Sequence, residues 1–407
     1  MAALELMDKL PEDAPGREAD RARILSRAGR NLYFDGDYER AMELNESALA
    51  IAEVEGLRDV FGTGLDTKAC ILAARGRLDE AEILARAAVR WAEDNDLSTV
   101  AAATYGNTGA TLEEKENLEE ALTLYEAGEA LARRLGDRRR IVETTLARLP
   151  DLAELGRWDE CDAIFERFIE SDAAEVQDYL AAPAGALNMT WPMVWRGDLA
   201  GARRLLDENG PRLAGAHTEM RGDHLAAQAV LANAEGRYQD ALDAAEPALR
   251  MCLEHNFPIP ARRALVQAVD AAFALGREDT VRDLVSLVRT HYRPGRQPGV
   301  DAHIQRWEAR LAERGGDDAV VVNNFKRAAA AFGELHRPFW LAVTRLELAE
   351  WLAAHGRHAE AAAVLDDAEA AFQQLGAQPW LQRASTARTR SAAGTTAPGP
   401  LHAALPA

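Results

Sequence analysis

The sequence predicts an all-α protein, a solenoid of about nine stacked helical hairpins, on three observations. Alanine, leucine, arginine and glutamate dominate a chain that is 48% apolar but only 6% aromatic, a composition of packed helices rather than of a β-rich or α/β core. A six-residue box recurs nine times at a fixed interval, which is the signature of a repeat array. Around each copy, apolar residues fall at helical spacing.

The boxes are GDYERA at 36–41, GRLDEA at 76–81, ENLEEA at 116–121, GRWDEC at 156–161, GDLAGA at 197–202, GRYQDA at 236–241, GREDTV at 276–281, GDDAVV at 316–321 and GRHAEA at 356–361. They start 40, 40, 40, 41, 39, 40, 40 and 40 residues apart. A glycine that can turn left-handed ends one helix, and the acidic residues after it suit the N-terminus of the next. Each box is therefore a helix–turn–helix corner. Five residues after the first position stands a small residue, Ala41, Ala81, Ala121, Cys161, Ala202, Ala241 or Ala361, with Val281 and Val321 in the remaining two. Two helices are expected to approach closely there.

Leu44, Leu84, Leu124, Ile164, Leu205, Leu284 and Val364 follow eight residues after the corner, and Leu32, Leu72, Leu112, Leu152, Met193 and Leu352 precede it by four. These stripes read as core. A second punctuation at Gly56, Asp96, Gly136, Asn256, His336 and Gly376 closes the second helix of a repeat, so each repeat holds two helices of about 17 residues.

The glycine–x–apolar–acidic–acidic–alanine corner resembles the tetratricopeptide repeat over residues 17 to 377. The usual unit is about 34 residues, so each helix here is about three residues, or ~4.5 Å, longer. HEAT and armadillo units also run near about 40 residues and are the fold-level alternative. The resemblance implies a right-handed superhelix of 40-residue units, with the first helix of every repeat on the concave face and extended peptides or partner helices bound there.

The ends and irregularities follow from the same register. Residues 1–16 read as an N-terminal cap or remnant helix, with Leu4 in register with Leu44; 378–391 read as a C-terminal capping helix, and 392–407, rich in Ser, Thr, Ala, Gly and Pro, as a disordered tail. The 41-then-39 interval brackets Pro183, Gly185 and Pro192, where a kink is expected. RTHYRPGRQPG at 289–299 reads as a basic loop. Residues 338–384 resemble the C-terminal end of large bacterial regulators that couple an ATPase to helical repeats, some with a nucleotide cyclase domain and others with a LuxR-type DNA-binding helix–turn–helix.

Composition excludes several function classes. A net charge of −19 opposes general nucleic-acid binding, and the apolar runs are far shorter than the roughly 20 residues that span a bilayer. Glu5 and Asp8 stand where a signal peptide needs a basic start, and a cytoplasmic location is expected. None of the lysines, Lys9, Lys68, Lys115 or Lys326, follows a glycine, so the phosphate loop of those ATPases is missing. Cys70, Cys161 and Cys252 are spaced for neither disulfides nor a thiolate metal site. His355 and His358 straddle a turn glycine rather than sharing a helix face, and His217 and His224 carry no stronger signal. No catalytic motif, cofactor or metal is expected.

The resemblance carries candidate binding residues to positions six, nine and ten before each corner glycine. They are Arg27 and Arg30, with Ser26, in the first repeat, Asn107 in the third, Asn188, Trp191 and Leu187 at the irregular one, and Gln267, Asp270, Arg306 and Arg310 later. Asn107 and Asn188 match the family's groove asparagine, which bonds a ligand backbone, whereas the lysines that clamp a C-terminal carboxylate are missing. Trp195 lies one helical turn from Trp191, and one of the pair is expected to serve core packing. The run RRLGDRRR at 133–140 reads as a solvated turn or a dock for an acidic partner. The expected function is a non-enzymatic scaffold for a protein or peptide partner; the alternative is the sensor arm of a split ATPase- or cyclase-linked regulator.

Overall fold

The structure, a computed structural model, describes residues 16–168, 181–213, 215–216, 218–292, 297–313 and 318–392. The N-terminal cap assigned to 1–16, apart from Gly16, lies outside the described residues, as do His217, most of the 289–299 loop's centre and the tail beyond 392.

Among the described residues the regular structure is entirely helical. Consecutive antiparallel pairs run α1 (Arg17–Phe34) with α2 (Tyr38–Glu55), α3 (Arg58–Ala74) with α4 (Leu78–Asp94), α5 (Ser98–Glu114) with α6 (Leu118–Leu135), and α7 (Arg138–Glu154) with α8 (Trp158–Arg167). The fifth repeat comprises α9 (Ala181–Ala186), a 3-10 turn (Leu187–Met189), α10 (Thr190–Arg196) and α11 (Leu199–Leu213). Then follow α12 (Thr218–Ala234) and α13 (Tyr238–Glu254), α14 (Pro258–Ala274) and α15 (Glu278–His291), α16 (Pro298–Ala312) and α17 (Asp318–Glu334), α18 (Pro338–Ala354) and α19 (His358–Leu375), and α20 (Gln378–Ala392). This is a tetratricopeptide-like helical-repeat fold.

The corners work as the box predicts. Gly36, Gly76, Gly156, Gly197, Gly236, Gly276 and Gly356 all take positive φ, and so do Asp96, Asn256 and His336 at the second punctuation. The residue after each described corner closes both helices at once. Arg77 N–H, for example, donates to the Leu72 carbonyl at 2.9 Å while its own carbonyl accepts from Ala81 N–H at 2.9 Å, and Arg357 repeats the pattern with Leu352 and Ala361. Leu72 and Leu352 stand four residues before the glycine, so the core stripe and the helix stop share residues. Glu116 replaces glycine in the third box and is left-handed too, at φ 62°, a conformation that costs a non-glycine residue about 1 kcal/mol.

The small residue of every corner is core. Ala41, Ala81, Ala121, Cys161, Ala202, Ala241 and Val281 are 0% exposed, and Val321 and Ala361 1%. A larger side chain there forces the hairpin apart, typically at a cost of about 1–3 kcal/mol. The residues eight after the corner are less uniform: Ile164, Leu205 and Leu284 are buried, while Leu44, Leu84, Leu124 and Val364 are half-buried.

Contacts divide the chain into two compact units, residues 1–148 and 149–407. The second contains the irregular repeat, where the helix expected to kink is broken into α9, the 3-10 turn and α10. Pro192 sits in the first turn of α10, where its missing N–H has no helical acceptor to lose.

The second unit also folds back on itself. Trp158, Trp195, Phe339, Trp340, Phe372 and Trp380 form one aromatic cluster, with Trp195 stacked on Phe339 at a centroid distance of 4.4 Å and Trp158 5.6 Å from the same ring. Arg196 Nε donates to the Leu375 carbonyl at 3.3 Å, joining residues 179 apart in sequence. A Cβ on Gly156 would lie 2.5 Å from Pro338 Cγ and 2.9 Å from Leu375 Cδ2. Glycine at 156 is thus required twice, by its φ of 73° and by this approach. No helix among the described residues is long and apolar enough to cross a membrane.

Candidate ligand-binding site

In the first unit the candidate residues meet on the first helices of successive repeats. Arg30 on α1 donates through Nη1 to Asp66 Oδ2 on α3 at 3.0 Å and to Thr67 Oγ1 at 3.3 Å. Asn107 on α5 donates through Nδ2 to the same Asp66 oxygen at 2.7 Å. Asp66 is 1% exposed, and its Oδ1 has no hydrogen-bond partner. Burial lifts its carboxyl above the ordinary value against the pull of Arg30 and Asn107. Asp66 stands ten residues before Gly76, so the positional rule that reaches Arg30 and Asn107 also reaches it.

Beside this network is a cavity of ≈560 Å³. Its existence follows from α5, which presents only Ala102, Ala103, Gly106 and Ala110 around Asn107, while α1 contributes Arg27, Arg30, Asn31 and Phe34, and α7 contributes Arg139, Arg140, Glu143 and Thr144. Phe34 is 62% exposed, with the Arg30 guanidinium 5.6 Å from its ring centroid. Arg27 is exposed and makes no ion pair among the described residues. Arg139 pairs with Glu143 at 3.2 Å and Arg140 with Asp137 at 3.5 Å, both within one helical turn and partly solvated. Exposed pairs of this kind contribute little, about 0–1 kcal/mol, and exchange partners readily. The basic run at 133–140 therefore ends on a cavity rather than in open solvent.

In the second unit several of the candidate residues are drawn inward, while Asn188 and Asp270 are half-buried. Gln267 is 5% exposed, Arg306 2%, Arg310 7%, Trp191 6% and Trp195 4%. Arg306 donates to Glu347 through Nε at 2.7 Å and Nη2 at 3.0 Å, and to Asp270 at 3.2 Å; Arg310 reaches Asp270 at 3.1 Å. Burial works against the Glu347 carboxylate, but Arg306 and Arg310 outweigh it and hold its pKa down at about 2. His303, 2% exposed beside Arg306, is pushed well below the ordinary histidine range, by burial first and then by Arg306, Arg337 and Arg262. Gln267 accepts from Asn233 Nδ2 at 3.0 Å. Asn188 accepts from Arg263, which also pairs with Asp223 at 2.7 Å and lies 4.7 Å over the Trp191 ring.

Trp191 and Trp195 were both candidates for the binding face, with one of them expected to serve core packing. The fold-back of the second unit places Trp195 inside the aromatic cluster. Glu347, nine residues before Gly356, is another position the same rule reaches.

Among the described residues no group of three or more His, Cys, Asp or Glu side chains is placed to hold a metal ion. His355 Nδ1 donates to the Trp351 carbonyl at 2.8 Å, and His358 Nδ1 lies 3.0 Å from Ser391 Oγ. Cys161 and Cys252 are buried and Cys70 is half-buried. Burial raises the pKa of all three thiols. The arrangement in the first unit is a concavity with a cationic wall, an exposed aromatic ring and an amide, ordered by a buried carboxylate.

This geometry belongs to a helical-repeat protein with a polar concavity in its first unit. No protein-family model matches the chain, and comparison with curated proteins gives no match. Among solved structures it is similar to a Rap protein complexed with competence and sporulation factor, at a TM-score of 0.58 and 13% identity, over 92% of this chain and 99% of that one. At that identity the likeness establishes the fold.

Proposed function

We propose that the chain is a non-enzymatic, cytoplasmic interaction scaffold that holds a segment of a partner protein in the cavity of its first unit. The observation that carries this reading is the convergence of Arg27, Arg30 and Phe34 of the first repeat and Asn107 of the third on one ≈560 Å³ concavity. That volume lies within the range of about 300–1,000 Å³ typical of ligand sites. The solved neighbour of the same fold is itself complexed with a factor, which supports a binding role for such an array.

A photo-crosslinking amino acid at Phe34 tests the site against the same group at Ile83, which is 67% exposed on α4 and outside the cavity. Partner peptides captured at position 34 and not at 83 support the assignment. Equal capture at both, or capture at 83 alone, refutes it. The second reading, a sensor arm of a split ATPase- or cyclase-linked system, draws on the resemblance of residues 338–384. A reconstituted ATPase or cyclase whose activity is unchanged by this chain would remove it.

A further inference from the structure

The lining of the first unit's cavity has a sign opposite to that of the chain. The protein carries a net charge of −19, yet the cavity is lined by Arg27, Arg30, Arg139 and Arg140 against the carboxylates of Asp137 and Glu143. Those two acids pair with Arg139 and Arg140 on their own helical turn, and Arg30 pairs with the buried Asp66, so among the described residues Arg27 carries the wall's uncompensated charge. Arg27 and Arg30 are three residues apart on α1 and so share a face, and Phe34, four residues further on, continues it. Asp66 and Asn107 fix Arg30 from below, so its guanidinium is held in place before any ligand arrives. The small residues of α5 leave apolar space beside Phe34.

We infer that the cavity selects an acidic peptide, a segment with a carboxylate side chain next to an apolar one, with the carboxylate between Arg27 and Arg30 and the apolar group against Phe34 and the Ala102–Gly106–Ala110 stripe. This rests on the docking reading above and adds the chemistry of the docked segment. Arginine suits the role because its planar fork meets a carboxylate through two hydrogen bonds. Asn107, with one amide proton committed to Asp66, retains its carbonyl oxygen for the peptide backbone. The chain's own acidity adds to the selection, since it repels acidic ligands everywhere but at this wall.

The test is selection from a displayed library of random dodecapeptides on the full chain, compared with two variants. In the first, Ala103→Cys is modified with a bulky maleimide to fill the cavity; the native thiols, all held protonated by burial, react slowly. In the second, Arg27→Glu inverts one exposed wall charge with little effect on folding. The expected result is enrichment of Asp- and Glu-containing peptides with a neighbouring Leu, Ile or Phe. Their binding should be lost on the filled variant, fall at least about tenfold on Arg27→Glu, and weaken with added salt. Enrichment of neutral or basic peptides that the maleimide still blocks would overturn the acidic preference and leave the docking reading standing. No enrichment over the filled variant would overturn both.

Discussion

Replacing Glu347 with glutamine tests how far the second unit depends on its buried ion pairs. The carboxylate is 2% exposed and accepts two hydrogen bonds from Arg306, with Arg310 3.6 Å away. Its pKa falls from the ordinary 4.5 to about 2 in the folded state, and at about 1.4 kcal/mol per pH unit this corresponds to about 3 kcal/mol of stability at neutral pH. An independent route gives a similar size, because removing one partner of a buried pair typically costs about 3–5 kcal/mol through the charge left uncompensated. Urea unfolding followed by tryptophan fluorescence reads the effect, since Trp158, Trp191, Trp195, Trp307, Trp340, Trp351 and Trp380 lie in the second unit and only Trp91 in the first. The folded pKa is depressed, so the stabilisation is complete above pH 4.5 and is lost as pH falls towards 2; the gap between wild type and variant should narrow over that window. A loss below about 1 kcal/mol at pH 7 would refute the argument. The double variant Arg306→Met/Glu347→Leu should recover at least half of the loss, because it leaves fewer buried charges to satisfy.

The remaining predictions address other parts of the same unit. His303 is kept neutral in the folded state while the unfolded chain titrates near pH 6.5, so stability should decline as pH drops below 6.5, by up to about 1.4 kcal/mol per unit. In His303→Phe that slope should be absent from the urea midpoints at pH 7.5, 6.5 and 5.5, and an unchanged slope would place it elsewhere. Gly156→Ala should cost at least ~1 kcal/mol more than Gly276→Ala, because both positions are left-handed but only at 156 does the new methyl group meet Pro338 and Leu375; equal losses would contradict the close approach. Trp195→Ala should destabilise the second unit by about 3–5 kcal/mol. A folded, equally stable Trp195→Ala would contradict its place in the core.

The repeat was legible because each corner imposes local demands on sequence: a left-handed residue, a close-packed small side chain, and a core leucine whose carbonyl caps the turn. Asp96, Asn256 and His336 were readable as turns for the same reason, although none is glycine. The candidate site was legible as a set of positions, and the structure joins Arg30 to Asn107 and Asp270 to Arg306 and Arg310. Their acidic partners Asp66 and Glu347 were missed because an acid on a helix is usually solvated, and nothing local marks one that neighbouring repeats will bury. Whether such positions face a cavity or a core depends on how the unit curves. That depends on contacts such as Arg196 with Leu375, which no repeat-by-repeat reading contains.

The fold-back of the second unit sets a limit on how this chain can evolve. An open array lengthens or shortens by whole hairpins, since each contacts only its neighbours. Here the fourth and fifth repeats are keyed to the ninth through Gly156, Trp195 and Arg196, so a duplicated or deleted hairpin between them would move both sides of the seam out of alignment. The single residue gained after the fourth corner and given back before the sixth obeys the same rule. Copy number in the second unit is frozen by its seam, and new length can be added only where no seam closes.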